Sequence, residues 1–413
     1  MSVSSSQALE DLTRYCRRHQ WKGRDCFDSL NSPWSRSTPL YRSPLARTLW
    51  TQAFKRSPVS LWRLGRVPVE ENPKALALFL LGMTELERAK PDAERRADIG
   101  RVASRLLQIR LPAQRGGGWG YPFDWQSRAF FAPRGTPNIV TTTFACRALL
   151  RVYRLLSFPD MLDAAEEGCR FVAEDLAMES GQTAPYFAYI PGDRSRIYNA
   201  TLLGSRLLAE AGAALKHPRW GDLAFRAARG VVEDQAQDGS WPYGPGSRHR
   251  WIDSFHTGYN LVALEAVARC LECSEFDEAI ARGYRFYRER FFGDDLAPRY
   301  YSERTYPIDI HSAAVAIETF LAMRRFDPSA PRHAAGVARW TIRNMRDHHE
   351  GCFYFQKHRI YVIRTPYMRW SQAWMFYALA LLESARGRAP LAQDAGAGRT
   401  FAGAAARGAS NDA

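Results

Sequence analysis

The sequence predicts an all-α protein, an (α/α)6 toroid of about six helical hairpins, and three observations carry that prediction. Amphipathic stretches with apolar residues at i, i+3, i+4 and i+7 recur along the chain, and strand-type alternation is nearly absent. Five short signatures, each a small residue before an aromatic cluster, also divide the 413 residues. They centre on Trp119, Tyr186, Trp241, Tyr300 and Phe353, at intervals of 67, 55, 59 and 53 residues.

The elements follow in order. Residues 1–72 form an N-terminal helical and loop segment that packs on the ring; an outer helix at Ser6–His19 is expected there as the partner of the first inner helix, Pro73–Arg88, which has Pro at a helix-starting position. Ala97–Arg110 is an outer helix, Gly117–Tyr121 its turn and Val140–Leu156 the next inner helix. Ala164–Met178, Ala184–Phe187 and Ala200–Leu215 repeat the unit, with Leu202, Leu203, Leu207 and Leu208 on one helical face. Trp220–Gln235, Gly239–Tyr243 and Gly258–Cys270 repeat it again, followed by the turns at Ala297–Tyr301 and Gly351–Phe355 with inner helices Ala313–Met323 and Ala373–Ser384. One ring over 73–385 accounts for the length as a single domain, and an open α-solenoid is the alternative. From Arg386 the chain becomes Gly, Ala, Arg and Pro without periodicity, so 386–413 is expected to be a disordered tail.

Composition narrows the partners. With 46% apolar and 24% charged residues the chain is globular over most of its length. The excess of 57 Lys+Arg over 43 Asp+Glu, a formal +14, combined with 12 Trp, 18 Tyr and 22 Phe, suits an anionic partner. Only +2 of it lies in the tail. Nucleic acid is excluded as that partner, because no basic recognition helix or RNA-binding signature is present and the arginines fall at turns. The longest apolar run, Ala75–Met83, is nine residues, too short to cross a bilayer; no membrane span is expected, and peripheral membrane association is left open. No secretory leader is visible, so a cytoplasmic location is expected. Seven scattered cysteines fit a reducing compartment, and Cys270 and Cys273 read as buried thiols.

Two resemblances add context. Gln235 through Gly239 to Trp241 resembles the Q-x-x-x-G-x-W element of terpenoid cyclases and protein prenyltransferases, and Trp251–Tyr259 looks like the start of an inner helix in the prenyltransferase β-subunit, where the matching His256 would bind zinc. The Asp-x-Cys pair such a zinc site needs is absent, as are the D-x-D-D and D-D-x-x-D clusters of terpenoid chemistry, so no metal site is assigned and the cofactor is left unknown. Asp28–Ser32, Asn72–Phe79 and Gly117–Leu150 resemble the VpsJ-type family of exopolysaccharide-biosynthesis proteins over most of the chain. That resemblance implies a polysaccharide context and no mechanism.

In such a ring the amino ends of the inner helices and the turns before them surround one mouth, where free N–H groups favour anions. Asp253 with His256, and Asp309 with His311, begin two neighbouring inner helices; they read as acid/base groups, with Tyr259 and Tyr243, as part of a metal site, or as helix caps. Trp119, Tyr121, Trp241, Tyr301 and Trp370 suit the flat faces of sugar rings, and Asp124, Asn138, Asn199, Asn260 and Gln372 suit hydroxyls. Arg250 or Arg369 would hold a carboxylate. Uronate epimerases and lyases need this set of residue types. The leading expectation is therefore a protein acting on an acidic oligo- or polysaccharide, as a uronate C5-epimerase or lyase-like enzyme. A non-catalytic glycan-binding scaffold and an isoprenoid-binding or prenyl-transfer protein are the alternatives.

Overall fold

The structure, a computed structural model, describes residues 3–127, 130–180 and 183–387. The N-terminal part contains α1 (Ser5–Arg18), the short α2 (Pro33–Arg36) and α3 (Pro44–Arg56). Inner and outer helices then alternate: α4 (Pro73–Ala89), α5 (Ala93–Gln108), α6 (Ile139–Leu156), α7 (Pro159–Arg170), α8 (Tyr198–Leu215), α9 (Pro218–Glu233), α10 (Ser254–Cys270), α11 (Asp277–Arg290), α12 (Ile310–Ala322), α13 (Ala330–Met345) and α14 (Trp374–Gly387). The even-numbered helices from α4 onward each pack on the next, and α14 packs back on α4, so the ring is closed rather than an open solenoid. Helix α14 continues through Arg386 and Gly387; the rest of the expected tail lies outside the described residues.

The expected N-terminal outer helix is α1, but its partner differs. It lies behind α14, not α4, because the chain enters the ring as an outer helix whose inner partner comes last. Ser5 Oγ donates to Glu383 at 2.7 Å, Arg17 pairs with Asp98 of α5 at 2.6 Å, and Asp11 pairs with Arg346. The first and last helices thus close the circle.

Each turn holds the ring together by one repeated bond. The first N–H groups of α6, α8, α10 and α12 donate to the carbonyls of Tyr189, Tyr243, Tyr300 and Phe355, each in the aromatic turn of the following unit. At the last unit, Met368 N donates instead to Arg24 O of the N-terminal segment, while α4 begins at Pro73, which has no N–H to place. Side-chain caps from Asn72, Asn138, Asp253 and Asp309 satisfy further amide groups at these helix starts. The inner helices are apolar nearly all round because both faces are covered.

Two predicted sugar platforms belong to this framework. Trp119 and Trp241 are buried between hairpins, with their indole N–H groups donating to Leu106 O (2.8 Å) and Val231 O (2.9 Å) on outer helices. A Cβ at Gly283 would stand 2.6 Å from the Trp241 ring, and Gly239, at φ +88°, makes the turn in front of it. Gln235 Nε2 donates to the carbonyls of Gly239 and Ala279. The Q-x-x-x-G-x-W element is a hairpin staple.

Deeper in the axis, a buried ion network crosses the ring. Glu210 of α8 accepts from Arg147 of α6 and Arg206 of α8, and Arg206 also reaches Glu318 of α12 at 3.6 Å. Residues of 19–72 lie over the opposite, amino end of the ring, where Asp25 holds Arg369, Lys55 lies over Trp370 and Trp62 packs on Tyr367. Asp124 anchors that segment, accepting from Arg36 (2.9 Å), the Tyr41 hydroxyl and the Arg134 amide. No helix among the described residues is long and apolar enough to cross a membrane.

Candidate functional site

The amino ends of the six inner helices converge under this segment. Lys74 of α4 reaches across the axis towards α10, with Nζ 3.5 Å from the Tyr259 hydroxyl. It sits over the rings of Phe144 (4.5 Å), Trp374 (5.2 Å) and Tyr259 (5.3 Å), a box of aromatic faces rather than a carboxylate. Burial, and then the positive charge of Arg369, hold its amine well below the usual lysine range.

Beside it, Tyr259 and His311 form a tight pair, hydroxyl to Nε2 at 2.5 Å. Burial and the nearby Lys74 push His311 well below the usual histidine range, so its ring is neutral; burial pushes the Tyr259 phenol well up. The favoured arrangement has the phenol donating to a neutral Nε2. His311 packs against Trp370 (4.2 Å) and Trp374 (4.7 Å), which fix the ring.

His256 lies on the other side of Tyr259, its ring centroid 6.1 Å from the phenol ring. Asp253 accepts from the His256 amide through Oδ1 at 2.9 Å, which caps α10, and is bonded through Oδ2 to Nδ1 of the same ring at 2.7 Å. Trp251 Nε1 also donates to Asp253 Oδ2 at 3.1 Å. With Nδ1 bonded to Asp253, Nε2 is the other ring nitrogen, and at 20% side-chain exposure His256 is more open than His311. Tyr243, stacked on Trp251 at 4.4 Å and 4.7 Å from the His256 ring, forms the adjoining wall; burial raises its phenol.

Several other predicted site residues have structural partners. Asp309 is wholly buried, accepts from the His311 amide (2.9 Å), Trp370 Nε1 (2.8 Å) and Gln356 Nε2 (2.6 Å), and positions His311 and Trp370. Burial raises its pKa. Arg369 is engaged by Asp25 in a buried two-pronged pair of 2.5 and 2.7 Å, so its fork is occupied within the chain. Gln372 exchanges two 2.8 Å bonds with the main chain of Phe353 and holds the last turn. Asn138 caps α6. Tyr121 stacks on Phe123 beneath Arg369. Tyr301 is partly exposed under Arg304, and Arg250 is exposed on its turn. Trp370 faces the site, against His311 and Phe255. The buried carboxamide oxygens of Asn199 and Asn260 have no hydrogen-bond partner among the described residues. Among the described residues, no group of three or more His, Cys, Asp or Glu is gathered to hold a metal.

Sequence reasoning missed Lys74, Asp25, Phe255 and Trp374. A signal existed for Lys74: a lone cation opening an otherwise apolar inner helix has no solvent to reach. None existed for Asp25, whose partner is 344 positions away.

No family model matches the chain, and no curated protein matches it in sequence. Solved structures do match in shape. Cellobiose 2-epimerase from Bacillus thermoamylovorans B4167 superposes with TM-score 0.61 at 12% identity, over 78% of this chain and 90% of that one. An unsaturated glucuronyl hydrolase specific for heparin gives 0.57 at 13%, over 77% and 87%. A D-mannose isomerase gives 0.58 at 11%, over 76% and 87%. At these identities the likeness is one of fold, and the chain shares the (α/α)6 toroid of sugar-processing enzymes.

Proposed function

We propose that this chain is a sugar-active acid/base enzyme that moves a proton at a carbon next to a carbonyl or carboxylate, as an epimerase or lyase-like enzyme of an acidic glycan. The observation that carries the reading is the pair of candidate proton-transfer groups side by side at the amino ends of the inner helices: His256, bonded to Asp253, and Tyr259, bonded to neutral His311. An epimerase needs one group to remove the proton and a second to return one to the other face. His256 Nε2 can accept the proton, and the Tyr259 phenol can supply one, with His311 fixing its hydroxyl. Lys74 stands where negative charge would develop. It takes the part expected of Arg369, whose charge Asp25 already neutralises. The toroid neighbours named above, an epimerase, an isomerase and a glucuronyl hydrolase, support a sugar as the substrate class, and the resemblance to VpsJ-type proteins supports an exopolysaccharide setting.

Incubation in D2O with uronate oligosaccharides and reducing disaccharides, read by NMR, tests this. Deuterium is expected at C5 of a uronate or C2 of a reducing aldose, and His256→Ala should abolish the exchange while leaving the fold intact. Exchange at the wild-type rate in His256→Ala would refute the assigned role. Binding of a glycan with no exchange in the wild type would favour the non-catalytic scaffold.

A further inference from the structure

The segment over the mouth has an outer side that the site does not use. Residues 29–69 contain seven cations and not one Asp or Glu, so these 41 residues hold half of the net +14. The same stretch carries six of the ten large apolar side chains that stand exposed among the described residues: Trp34, Leu45, Leu49, Val59, Leu64 and Val69. Leu45 and Leu49, 68% and 61% exposed, share the outer face of α3 with Ala53 and Arg56, while Arg47, Thr51 and Phe54 face inward. Trp34 and Leu64 belong to one neighbourhood: Arg66 lies over the Trp34 ring at 5.7 Å, and Ser32 Oγ donates to Gly65 O at 2.6 Å. Phe54 of α3 packs on Trp62 at 5.3 Å, which joins this region to the helix. Arg42, Arg56, Arg63 and Arg66 of the same stretch are also exposed.

We propose that this surface docks the protein on an anionic lipid bilayer, with α3 lying in the interface plane. Exposed aliphatic and indole groups interspersed with charges of a single sign are the composition of an interfacial helix, in which hydrocarbon takes the apolar face and acidic headgroups take the cations. A soluble polyanion would engage the arginines but gives Leu45, Leu49 and Leu64 nothing to bury in. A protein partner would meet a surface of one charge with no acid to answer its own cations. The inner side of the same segment carries Asp25 and Lys55, which touch Arg369 and Trp370, so docking would place the bilayer directly above the site. The inference stands independently of the reaction assigned to that site.

Co-sedimentation of the full chain with vesicles tests it, using phosphatidylcholine alone and phosphatidylcholine with 30% phosphatidylglycerol. Binding at least tenfold stronger to the anionic vesicles is expected, weakening as salt rises. Leu45→Glu/Leu49→Glu should lower that binding by tenfold or more with an unchanged melting temperature, since both side chains are exposed. Ile360→Glu, 89% exposed on a different loop, should leave it unchanged. Absence of binding to anionic vesicles would overturn the proposal. So would retention of heparin alone, or a double variant that binds vesicles like the wild type, because then only charge is read and no side chain inserts.

Discussion

Replacing Asp25 with Ala should destabilise the protein by about 3–5 kcal/mol, the range for breaking a buried ion pair by removing one partner. Asp25 and Arg369 are each 3% exposed, and two charge-assisted bonds of 2.5 and 2.7 Å join them. Each such bond contributes about 1.5–3 kcal/mol, and the guanidinium left behind would remain buried near Lys74 with no counter-charge. Asp25→Ala/Arg369→Met removes both charges together and should therefore lose less than the two single changes added, by a coupling of about 2 kcal/mol. Urea unfolding followed by tryptophan fluorescence, with midpoint and slope fitted for all four proteins, measures the cycle. A loss below about 1 kcal/mol for Asp25→Ala, or simple additivity, would refute the view that this pair fastens the N-terminal segment to the start of α14.

Two further outcomes follow from the same geometry. Lys74 and His311 both titrate below their ordinary values of 10.5 and 6.5, so the unfolded chain binds more protons than the folded one in the interval below each value, and stability rises with pH there. One such group contributes a slope of at most about 1.4 kcal/mol per pH unit; Lys74→Met should remove the alkaline part of the rise, and identical melting temperature profiles between pH 7 and 9.5 for variant and wild type would contradict the burial of an unpaired amine. Gln372→Leu should lose about 2–4 kcal/mol by stranding the Phe353 N–H and C=O, whereas Arg250→Ala should stay within about 0.5 kcal/mol; equal effects in a thermal-melt comparison would reverse their assignment to framework and surface.

The ring was legible in the sequence because it is periodic. Each hairpin repeats one small-residue and aromatic turn, and a helix that is apolar on both faces has few places to lie except the inside of a circle of others. The same regularity misdirected the reading of the aromatics: Trp119 and Trp241 stand out as repeats because they plug repeated turns, and a residue fixed by the framework is not free for a substrate. What periodicity could not show was closure. That α1 backs α14, and that Arg24 replaces an aromatic-turn carbonyl at the last inner helix, depends on how the two ends of the chain meet.

Charge pairing within the site decides which of its ions a ligand can address. Asp25 answers Arg369, Asp253 is taken up by the amide and ring of His256, and Asp309 is satisfied by Trp370, Gln356 and a main-chain amide. Among the described residues no carboxylate bonds to Lys74 or to the Tyr259–His311 pair, and in its aromatic box burial shifts the lysine towards the neutral amine. An acidic group brought beside Lys74 would reverse that balance, since an ammonium paired with a carboxylate is favoured where a lone one is not. Ligand acidity and the protonation of Lys74 are therefore linked: binding of an acidic sugar should be accompanied by more proton uptake than binding of its neutral counterpart. Calorimetry in two buffers of different ionisation enthalpy measures that uptake. Equal proton uptake for an acidic sugar and its neutral counterpart would sever Lys74 from substrate recognition.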